Sequence, residues 1–432
     1  MITELRAQNF KSWQDTGTLQ FAPLTGFFGA NSSGKSSILQ VLLLLKQTVE
    51  QPSDWDEPLY FGSEEALVNL VDFDTVIHRH NLTFTLGISV AWKLPKPRKI
   101  NWRATNSLSF STTIIKNLEL KDFLYTSVAN NFEIGWKSQE NTGTPKGYIV
   151  TPKGNLVVRK EHKVIPDRTL VDPFRCYGIV SPDNLWDSLL DFQEAFEDLF
   201  SRIDYLGPIR EQPRHRYIWE GNHPKGVGQY GEKTIPALLS SRVQLLSIDE
   251  QIPKWLQRLE LIDSYRLHPI SDTGKDYEFL VKQYKDAPEV RLTDVGFGVS
   301  QVLPVLTLCY YAPEGSILIL EQPEVHLHPK VQSELADVLI DVVKNRNLQI
   351  ILESHSAHLL HRLQRRIAEE QVSADDTALY FCQINDGTSE IEQLDLDEYG
   401  NIRNWPQNFF GDDIGDLVEK TKAEMQRRKV ME

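Results

Sequence analysis

The segment GANSSGKSS, residues Gly29–Ser37, constrains the fold of this chain more than any other feature of its sequence. It follows a short apolar segment, LTGFFG, and leads directly into a second one, SILQVLLLLK. The spacing satisfies the pattern G-x-x-x-x-G-K-[ST] at Gly29, Gly34, Lys35 and Ser36. A strand, a glycine-rich loop and a helix in this order form a phosphate-binding loop. The sequence therefore predicts an α/β protein that binds a nucleotide.

The residue types in this loop suit the chemistry of phosphate binding. Gly29 and Gly34 let backbone N–H groups turn toward phosphate oxygens, and the helix N-terminus adds a favourable dipole. We expect Lys35 to reach the β- and γ-phosphates and the hydroxyl of Ser36 to ligate magnesium. The remaining polar side chains of the cradle are Asn31, Ser32, Ser33 and Ser37.

Composition sets the broad class of the protein. The 432 residues suffice for two or three domains, and 41% hydrophobic with 25% charged residues is ordinary for a soluble globular protein. No apolar run reaches the ~18 residues that a membrane span needs, and no secretory signal is visible at the start. The cysteines are few and far apart, at Cys176, Cys309 and Cys382. We therefore expect a protein of the reducing cytoplasm without membrane contact.

Hydrophobic patterning divides the chain into five predicted segments. Alternating apolar residues from Leu82 to Val90 indicate strands, and helical spacing begins after Ser181 and Pro182, a predicted N-cap and first helical residue. From residue 290 strands and helices alternate, which predicts a mostly parallel sheet. The predicted segments are a first lobe with the phosphate-binding loop (1–80), a β-rich part of that lobe (81–180), a helical insertion or lid (181–289), a second lobe (290–385) and a C-terminal domain (386–432).

Three later motifs follow the phosphate-binding loop in a characteristic order. They are the glycine-bearing DVGFGVSQVLP (294–304), the acidic strand end SILILEQPE (316–324) and ILESHSAHLL (351–360). This order resembles the ABC-type ATPase superfamily, and within it the branch of the SMC and RecF repair ATPases and the OLD-type and Septu-type anti-phage ATPases. The resemblance implies a P-loop fold of ABC ATPase type, with a mixed sheet, flanking helices and an inserted β-rich and helical subdomain.

The chain looks most similar to a group of bacterial AAA-family ATPases known from their sequences. The motifs that carry this likeness are NFKSW (9–13), YLGPIRE (205–211), PEVHLHP (323–329) and NWPQNFF (404–410). They are spread over nearly the whole chain, and the β-rich region is the part they constrain least. The resemblance implies ATP and Mg²⁺ as ligands.

The resemblance also assigns roles to individual residues. Gly296, Gly298 and Ser300 would form a signature loop that caps the γ-phosphate of ATP held by another subunit. Glu321 would lie near magnesium at the Walker B position, and His355 would sense the γ-phosphate. The segment 325–328 falls where the superfamily has its dimer-contacting D-loop. Gly296 departs from the usual pattern, which has serine there, so one hydroxyl donor to the γ-phosphate is missing.

The residues after the acidic strand end raise the question of catalysis. The superfamily usually has Asp then Glu, whereas this chain has Glu321 then Gln322. A glutamine can orient water but cannot accept its proton, and losing a general base commonly costs ~10²–10⁴ in rate. Two departures from the usual pair favour a native variant over a single engineered trapping substitution. We predict slow hydrolysis, with Glu324 or Glu321 as a substitute base.

Several other stretches admit more than one interpretation. The basic and aromatic stretches WKLPKPRKINWR (92–103) and REQPRHRY (210–217) could contact DNA, or could form a solvated loop and internal salt bridges. The histidines of the HLHP and SHSAHLLH segments have spacings found in metal sites, but the ATPase pattern already accounts for them. Trp405, Phe409 and Phe410 are expected to pack on the ATPase core, with partner docking as the alternative.

The predicted function is a nucleotide-dependent homodimerisation switch with ATP held between two subunits. By analogy with its relatives it would control an effector, a nuclease or toxin from a neighbouring gene, in anti-phage defence. Two alternatives stay open: an ATP-dependent DNA clamp for repair or chromosome maintenance, and a pseudo-ATPase scaffold that binds ATP without hydrolysing it.

Overall fold

The computed structural model describes residues 1–52, 55, 57–100, 103–127, 132–138, 147–150, 170–171, 173–179, 187–244, 248–270, 275–406, 409 and 420–421. The predicted helix start at Ser181 and Pro182, the side chain of Phe410 and most of the segment that follows it lie outside these residues.

The secondary structure alternates strongly between β-rich and helical regions. The strands are β1 (Ile2–Phe10), β2 (Trp13–Asp15), β3 (Leu19–Gln20), β4 (Leu24–Gly29), β5 (Leu86–Ile100), β6 (Arg103–Ile115), β7 (Glu119–Ser127), β8 (Phe132–Ser138), β9 (Gly147–Val150), β10 (Leu170–Val171), β11 (Pro173–Phe174), β12 (Gly178–Ile179), β13 (Ile203–Leu206), β14 (Tyr217–Ile218), β15 (Ser264–Pro269), β16 (Asp276–Lys282), β17 (Val290–Arg291), β18 (Ile317–Glu321), β19 (Gln349–Glu353), β20 (Thr377–Asn385) and β21 (Thr388–Gln393). The α-helices are α1 (Lys35–Val49), α2 (Phe73–Val76), α3 (Asp187–Ser201), α4 (Thr234–Val243), α5 (Ile248–Arg258), α6 (Phe297–Tyr311), α7 (Pro329–Arg346) and α8 (Ala357–Ala368).

The phosphate-binding loop follows β4, a strand of a mixed sheet. The strand order of this sheet is β13–β18–β19–β4–β20–β21. The strands from β13 to β20 are parallel, and β21 returns antiparallel to β20. Because the carboxyl ends of parallel strands meet at one edge, the loop after β4 and the turns after β18, β19 and β13 lie side by side. In register, Glu321 is opposite Glu353, and Glu353 is opposite Phe27.

The two faces of this sheet contact two hydrophobic cores. Successive side chains of a strand point to opposite faces, so strands buried on both sides are continuous apolar runs, as in ILILE. The first core includes Phe27, Ile319 and Ile351, and the second includes Phe28, Leu320 and Leu352. Glu321 and Glu353 are in phase with the first set, so both face the side of the sheet that α1 covers.

The first core lies between the mixed sheet and a large antiparallel sheet. That sheet has the order β10–β9–β8–β7–β6–β5–β1–β2, with β3 paired to β1. The period-two pattern predicted a strand from Leu82, but β5 begins at Leu86, and Leu82 and Phe84 pack against the core ahead of it. Helix α1 is buried within this core along most of its length.

Helix α3 also belongs to the first core, which changes its predicted assignment to the lid. Its Phe196 ring lies 4.6 Å from that of Phe110 in β6, and Phe192 stacks on Tyr125 in β7 at 5.2 Å. Helical periodicity shows that a face is apolar, but it does not show which sheet that face covers. The segment 187–201 is therefore part of the β-rich lobe.

The rest of the predicted helical insertion is partly β-structure. Helices α4 and α5 lie within the expected helical region, but β15 begins at Ser264, and β14, β15, β16 and β17 form an antiparallel sheet. Helices α4 to α8 contribute to the second core. The predicted boundary between residues 385 and 386 falls in the hairpin of β20 and β21, so β21 belongs to the mixed sheet.

One of the three C-terminal aromatic residues predicted to pack on the core, Phe409, is seen to do so. Phe409 is buried, with its ring 4.9 Å from Phe381 and 6.3 Å from Phe28. Trp405 is more exposed and lies 5.0 Å from Phe409.

Within the described ranges, no helix is both long enough and apolar enough to span a membrane.

Candidate nucleotide-binding site

Two glycines of the phosphate-binding loop have positive φ values and close neighbours. At Gly29 (φ 131°) a Cβ atom would lie 2.0 Å from the carbonyl oxygen of Cys382 in the adjacent β20. At Gly34 (φ 92°) it would lie 2.5 Å from Ser389 Oγ and 2.8 Å from Trp13 Nε1. Any larger residue would separate the loop from the strands that hold it. This explains the sequence requirement at both positions.

The loop is held in place by residues from two distant parts of the sequence, near residues 12–13 and at residue 389. Trp13 Nε1 donates to the carbonyl of Gly34 at 3.0 Å. Ser389 Oγ donates to Ser12 Oγ at 2.6 Å, and the Ser389 N–H donates to the Ser12 carbonyl at 2.9 Å. The NFKSW motif thus contributes Ser12 and Trp13 to the support of the loop.

Lys35 lies across the loop that precedes it. Its Nζ donates to the carbonyl oxygens of Ala30 at 2.6 Å and Gly29 at 3.1 Å, and the side chain is buried. Burial lowers the pKa of Lys35, while the negative charge of Glu353 opposes that effect. A cation held beside backbone N–H groups at a helix start can bind phosphate.

The loop opens into a small pocket of about 220 Å³. Beside the loop itself, residues from three other elements line it. The lining residues are Ser12, Asn31, Ser32, Ser33, Gly34, Lys35, Ser36, Ser37, Gln322, Glu353 and His355. The structure therefore brings the predicted cradle residues together with Gln322 and His355. His355 is more than 300 positions away from the cradle in the sequence.

Two glutamates end neighbouring strands at this edge. Glu321 ends β18 and Glu353 ends β19, and both are buried. Burial, and then the charge of Glu353, raise the pKa of Glu321 to about 7, although Tyr205, Arg210 and Lys11 oppose the increase. Glu321 Oε1 and Glu353 Oε2 lack hydrogen-bond partners among the described residues. Buried carboxylate oxygens without partners are costly unless a ligand or cation uses them.

Gln322 follows Glu321 in a left-handed backbone conformation, with φ 45°. Its N–H donates to the Glu353 carbonyl at 2.8 Å, which ties the turn after β18 to the end of β19. The side chain of Gln322 reaches the pocket. An amide at this position can hydrogen-bond water or phosphate oxygen.

Glu324 connects the same two turns. Its Oε1 accepts hydrogen bonds from Ser354 Oγ at 2.7 Å and from the His355 N–H at 2.8 Å. Burial raises the pKa of Glu324, and these two donors partly offset the effect. Its Oε2 is without a partner in the described part of the chain. Glu324 thus supports the turn that carries His355.

His355 is half-buried in the turn after β19. Burial and the nearby charge of Lys35 lower its pKa, and a hydrogen bond with the Gly29 backbone opposes this. A neutral imidazole next to Lys35 has one N–H donor and one acceptor nitrogen. It can therefore hydrogen-bond a phosphate oxygen held in this pocket.

Tyr205 and Arg210 lie beside the two glutamates. The sequence patterns assigned Tyr205 no role and placed Arg210 in a stretch that could contact DNA or form salt bridges, but not in the nucleotide site. Tyr205 is in β13, in register with Ile319, and hydrogen-bonds with Glu321. Arg210 is buried, and burial lowers its pKa to about 10 against the opposing effects of Tyr205, Glu321 and Glu324. Both residues belong to the YLGPIRE motif.

The predicted signature residues lie apart from this pocket. Gly296 precedes α6, Gly298 is in its first turn, and Ser300 Oγ donates to the Phe297 carbonyl at 2.8 Å. None of the three lines the phosphate pocket. A Cβ atom at Gly296 would meet nothing within 4 Å, and Phe297 is 61% exposed. Within one copy of the chain, the structure does not bring the signature to the phosphate-binding loop.

The site fits a magnesium ion bound together with nucleotide phosphates. Magnesium in such sites takes one or two protein oxygens and fills its other positions with phosphate oxygens and water. Ser36 lines the pocket, whereas Glu321 does not. Glu321 ends β18 directly before Gln322, which does line the pocket, and its Oε1 is a buried carboxylate oxygen without a partner in the described ranges. These are the two groups that the sequence predicted as metal ligands.

Part of each basic stretch is used within the fold. Trp92 is buried at 1% exposure, so it is not available to stack on a base. Arg98 pairs with Asp198 at 2.8 Å in α3. In the second stretch Arg216 pairs with Asp276 at 3.0 Å, and Arg210 is buried. Lys93, Lys96 and Lys99 are exposed, so both interpretations of the first stretch stay open.

Two of the histidines that suggested a metal site have other contacts. His328 caps α7 by accepting from the Lys330 N–H at 3.3 Å. His361 stacks on Trp405 at 6.3 Å between ring centroids.

Sequence profiles of three protein families match parts of the chain. The profile described as an AAA ATPase domain matches residues 1–149. The profile described as "AAA domain, putative AbiEii toxin, Type IV TA system" matches residues 182–361, and a protein of unknown function (DUF3696) matches residues 372–419. Both segments that build the pocket thus match ATPase domains. Together with the parallel sheet, this agrees with the predicted P-loop fold of ABC ATPase type, and with a nucleotide-dependent ATPase.

The chain is also similar to solved structures of SMC heads at low sequence identity. An SMC head bound to the C-terminal winged-helix domain of ScpA aligns with 13% identity over 91% of this chain and 98% of that chain, with a TM-score of 0.49. The SMC head domain from Thermotoga maritima aligns with 11% identity over 91% and 99%, with a TM-score of 0.44. An Smc head with an extended coiled coil, bound to the C-terminal domain of ScpA derived from Pyrococcus furiosus, aligns with 11% identity over 98% and 99%, with a TM-score of 0.43. No curated protein sequence matches the chain.

Proposed function

We propose that this chain is an ATP-dependent dimerisation switch that hydrolyses ATP slowly and controls an effector protein. The observation that carries the proposal is the separation of its two predicted phosphate-contacting parts. One copy assembles the phosphate-binding loop with Gln322, Glu353 and His355, while Gly298 is outside that pocket. A head-to-tail dimer would place ATP between Lys35 of one copy and Gly298 of the other.

The surface around the signature suits contact with a second copy. Phe297 is exposed at the start of α6, and its ring lies 6.5 Å from that of the exposed His326. His326 belongs to the predicted D-loop and has a positive φ of 60°. The signature and the D-loop therefore form one exposed surface with an aromatic centre, a composition common at protein interfaces.

Slow hydrolysis follows from the groups around the pocket. Gln322 can orient a water molecule but cannot take its proton. The free Oε2 of Glu324, or Glu321, would accept the proton instead. Magnesium held by Ser36 and Glu321 would neutralise phosphate charge when bound. Lys35, His355 and Gln322 would position the γ-phosphate, and positioning contributes most of phosphoryl-transfer catalysis.

The proposed switch would act on an effector protein. By analogy with the ATPases it resembles, the closed dimer would hold or release a nuclease or toxin from a neighbouring gene during phage infection. The DNA-clamp alternative is equally compatible with the fold. Trp92 is buried and Arg98 is paired, but Lys93, Lys96 and Lys99 of the same stretch are exposed.

The first experiment measures single-turnover ATP hydrolysis and ATP-dependent dimerisation for the wild type and three variants. We expect slow hydrolysis by the wild type, none by Lys35→Ala and faster hydrolysis by Gln322→Glu. Loss of activity in Glu324→Gln would identify the substitute base. Intact ATP in a stable wild-type dimer over many hours would instead establish a pseudo-ATPase scaffold.

Mixing two inactive variants tests the shared site directly. A Cβ atom at Gly296 meets nothing within 4 Å, so Gly296→Arg should cause no strain in its own chain. The added side chain should instead prevent the signature from reaching ATP bound to the other copy. A mixture of Lys35→Ala and Gly296→Arg contains one intact composite site per mixed dimer and should regain hydrolysis. Tyr399→Arg, an exposed change elsewhere, serves as the control. A mixture that remains inactive, although each variant binds its partner, would contradict the shared site.

The proposed output is tested with the neighbouring gene product. Co-purification that depends on ATP, and loss of phage protection in Lys35→Ala cells, are the expected results. ATP-stimulated, salt-sensitive DNA binding by the lone protein would favour the clamp instead.

A further inference from the structure

Arg210 emerges at the same edge of the sheet as the predicted metal ligand. It follows β13 by four residues, and β13 is the parallel neighbour of β18. The loop around it is fixed on both sides, because the Gly207 N–H donates to the Gln229 carbonyl and the Glu211 N–H donates to the Tyr230 carbonyl, each at 2.8 Å. The backbone therefore holds Arg210 at a defined place beside Glu321.

The guanidinium of Arg210 is buried without a hydrogen bond. Its side chain is 7% exposed, and Nε, Nη1 and Nη2 all lack partners among the residues described. Elsewhere this fold satisfies an enclosed arginine: Arg346 donates to the carbonyls of Cys309 at 2.7 Å and Ala312 at 2.8 Å. An unsatisfied buried charge costs free energy and needs a reason.

The groups that face Arg210 are also unsatisfied. The electrostatic effects on Arg210 come mainly from Tyr205, Glu321 and Glu324. Oxygens Oε1 of Glu321 and Oε2 of Glu324 have no hydrogen-bond partner in the described structure. Unused donors on one side and unused acceptors on the other are thus enclosed together. A planar guanidinium has five N–H donors and can serve two carboxylates at once, which a lysine ammonium does less well.

We propose that Arg210 is a positioning residue of the ATP site, which orients the free oxygens of Glu321 and Glu324 toward the magnesium-bound phosphates. The assignment rests on the proposed function, since it takes Glu321 as a metal ligand. Arg210 acts through the carboxylates and does not itself line the phosphate pocket. Loss of an outer partner of this kind typically costs 10–100-fold in metal affinity or activity.

The test compares nucleotide binding with and without magnesium. Binding of the fluorescent analogue mant-ATP is titrated in EDTA and in Mg²⁺, and the ratio of the two affinities is the magnesium-dependent gain. We expect Arg210→Met to bind mant-ATP in EDTA like the wild type and to lose about 10-fold or more of the gain. Arg210→Lys should recover part of it. Single-turnover hydrolysis should fall in parallel.

Arg346→Met is the matched control, because it removes an arginine with enclosed hydrogen bonds far from the pocket. It should lower the melting temperature and keep the full magnesium-dependent gain. The proposal is overturned if Arg210→Met folds and keeps the wild-type magnesium-dependent gain in mant-ATP affinity. It is also overturned if Arg346→Met loses as much of that gain as Arg210→Met does.

Two further outcomes are decisive in other ways. If Arg210→Met does not fold, Arg210→Lys decides: a reduced gain supports the assignment, and a wild-type gain overturns it. If the wild type binds Mg²⁺ and mant-ATP but never hydrolyses ATP, slow hydrolysis is wrong, while loss of the gain in Arg210→Met still supports the role of Arg210.

Discussion

Asp337 and Glu321 are both buried carboxylates with 7% exposure, but their surroundings are opposite. Asp337, in α7, pairs with three arginines from two other helices: Arg258 at 2.8 Å, Arg362 at 2.9 Å and Arg366 at 2.7 Å. Glu321 faces a second carboxylate, and its Oε1 has no partner within the described ranges. The two carboxylates are therefore equally buried, but the charge of Asp337 is paired with arginines, whereas that of Glu321 is only partly compensated.

The difference separates a structural role from a functional one. The arginines around Asp337 connect α5, α7 and α8 and leave that carboxylate little capacity for a ligand. The site around Glu321, Glu353 and Arg210 retains unused donors and acceptors. In a folded protein such groups are costly, and they persist at sites where a ligand or cation completes them.

Glu321→Gln should give the largest effect. The change removes the charge while keeping the shape, so hydrolysis should fall about 10²–10³-fold, whereas mant-ATP binding in EDTA stays unchanged. The melting temperature should not fall, because a buried charge without a full set of partners is removed. Single-turnover assays and thermal unfolding measure the two effects, and wild-type hydrolysis would show that Glu321 does not ligate the metal.

Asp337→Asn should show the reverse. Three arginines would lose their common acceptor, and we expect unfolding to become easier by about 2–3 kcal/mol. At temperatures where the variant is folded, its hydrolysis rate should equal that of the wild type. Denaturant unfolding followed by an activity assay tests both statements. Reduced activity in the fully folded variant would mean that the helix cluster is coupled to the site.

Glu353→Gln tests the pair of glutamates and should have an intermediate effect. Glu353 opposes the loss of charge on Lys35 and repels Glu321. Removing one negative charge beside the loop should tighten mant-ATP binding in EDTA, while magnesium-dependent hydrolysis falls about tenfold, or about 1.4 kcal/mol. Weaker binding in EDTA would instead show that Glu353 acts mainly by holding Lys35 in place.

Asp204→Asn isolates the cost of burial, and of the four variants it should, with Asp337→Asn, have the smallest effect on hydrolysis. Burial raises the pKa of Asp204 in β13 to about 6, from an ordinary 3.8. The folded state then binds more protons than the unfolded state between these values, so stability falls as pH rises from about 4 to 6. The variant should be more stable than the wild type by up to about 3 kcal/mol at pH 8, and by nothing at pH 4. A difference that is independent of pH would contradict this sign.

Local patterns predicted the parts of the site that lie next to one another in sequence. The phosphate-binding loop, the acidic end of ILILE and the position of His355 each follow from a few neighbouring residues. The aromatic anchor at Phe409 was also predicted and packs on Phe381 and Phe28. Strand–loop–helix order and apolar runs are local properties, so the sequence contains them directly.

Groups that depend on strand register were missed. Glu353 ends an apolar run in IILES just as Glu321 does in LILEQ, and this repeated pattern was the available signal. Tyr205 and Arg210 join the site because β13 pairs with β18, across more than 100 residues of chain. The packing of α3 and the antiparallel sheet of β14 to β17 likewise depend on distant contacts that helical spacing does not specify. The roles of Gln322 and Glu324 stay predictions for the kinetic experiments.

The clamp on the phosphate-binding loop has a consequence for synthesis of the protein. Gly34 is held by Trp13 from the first residues and by Ser389 from the last strand of its sheet. A chain emerging from the ribosome therefore completes its early sequence motif long before the residues that enclose it exist. Contacts this distant form slowly, and until they form the apolar α1 has no finished core to enter. Nucleotide capture should thus wait until β21 has been made, and a product truncated before Ser389 would carry the motif without the ability to use it.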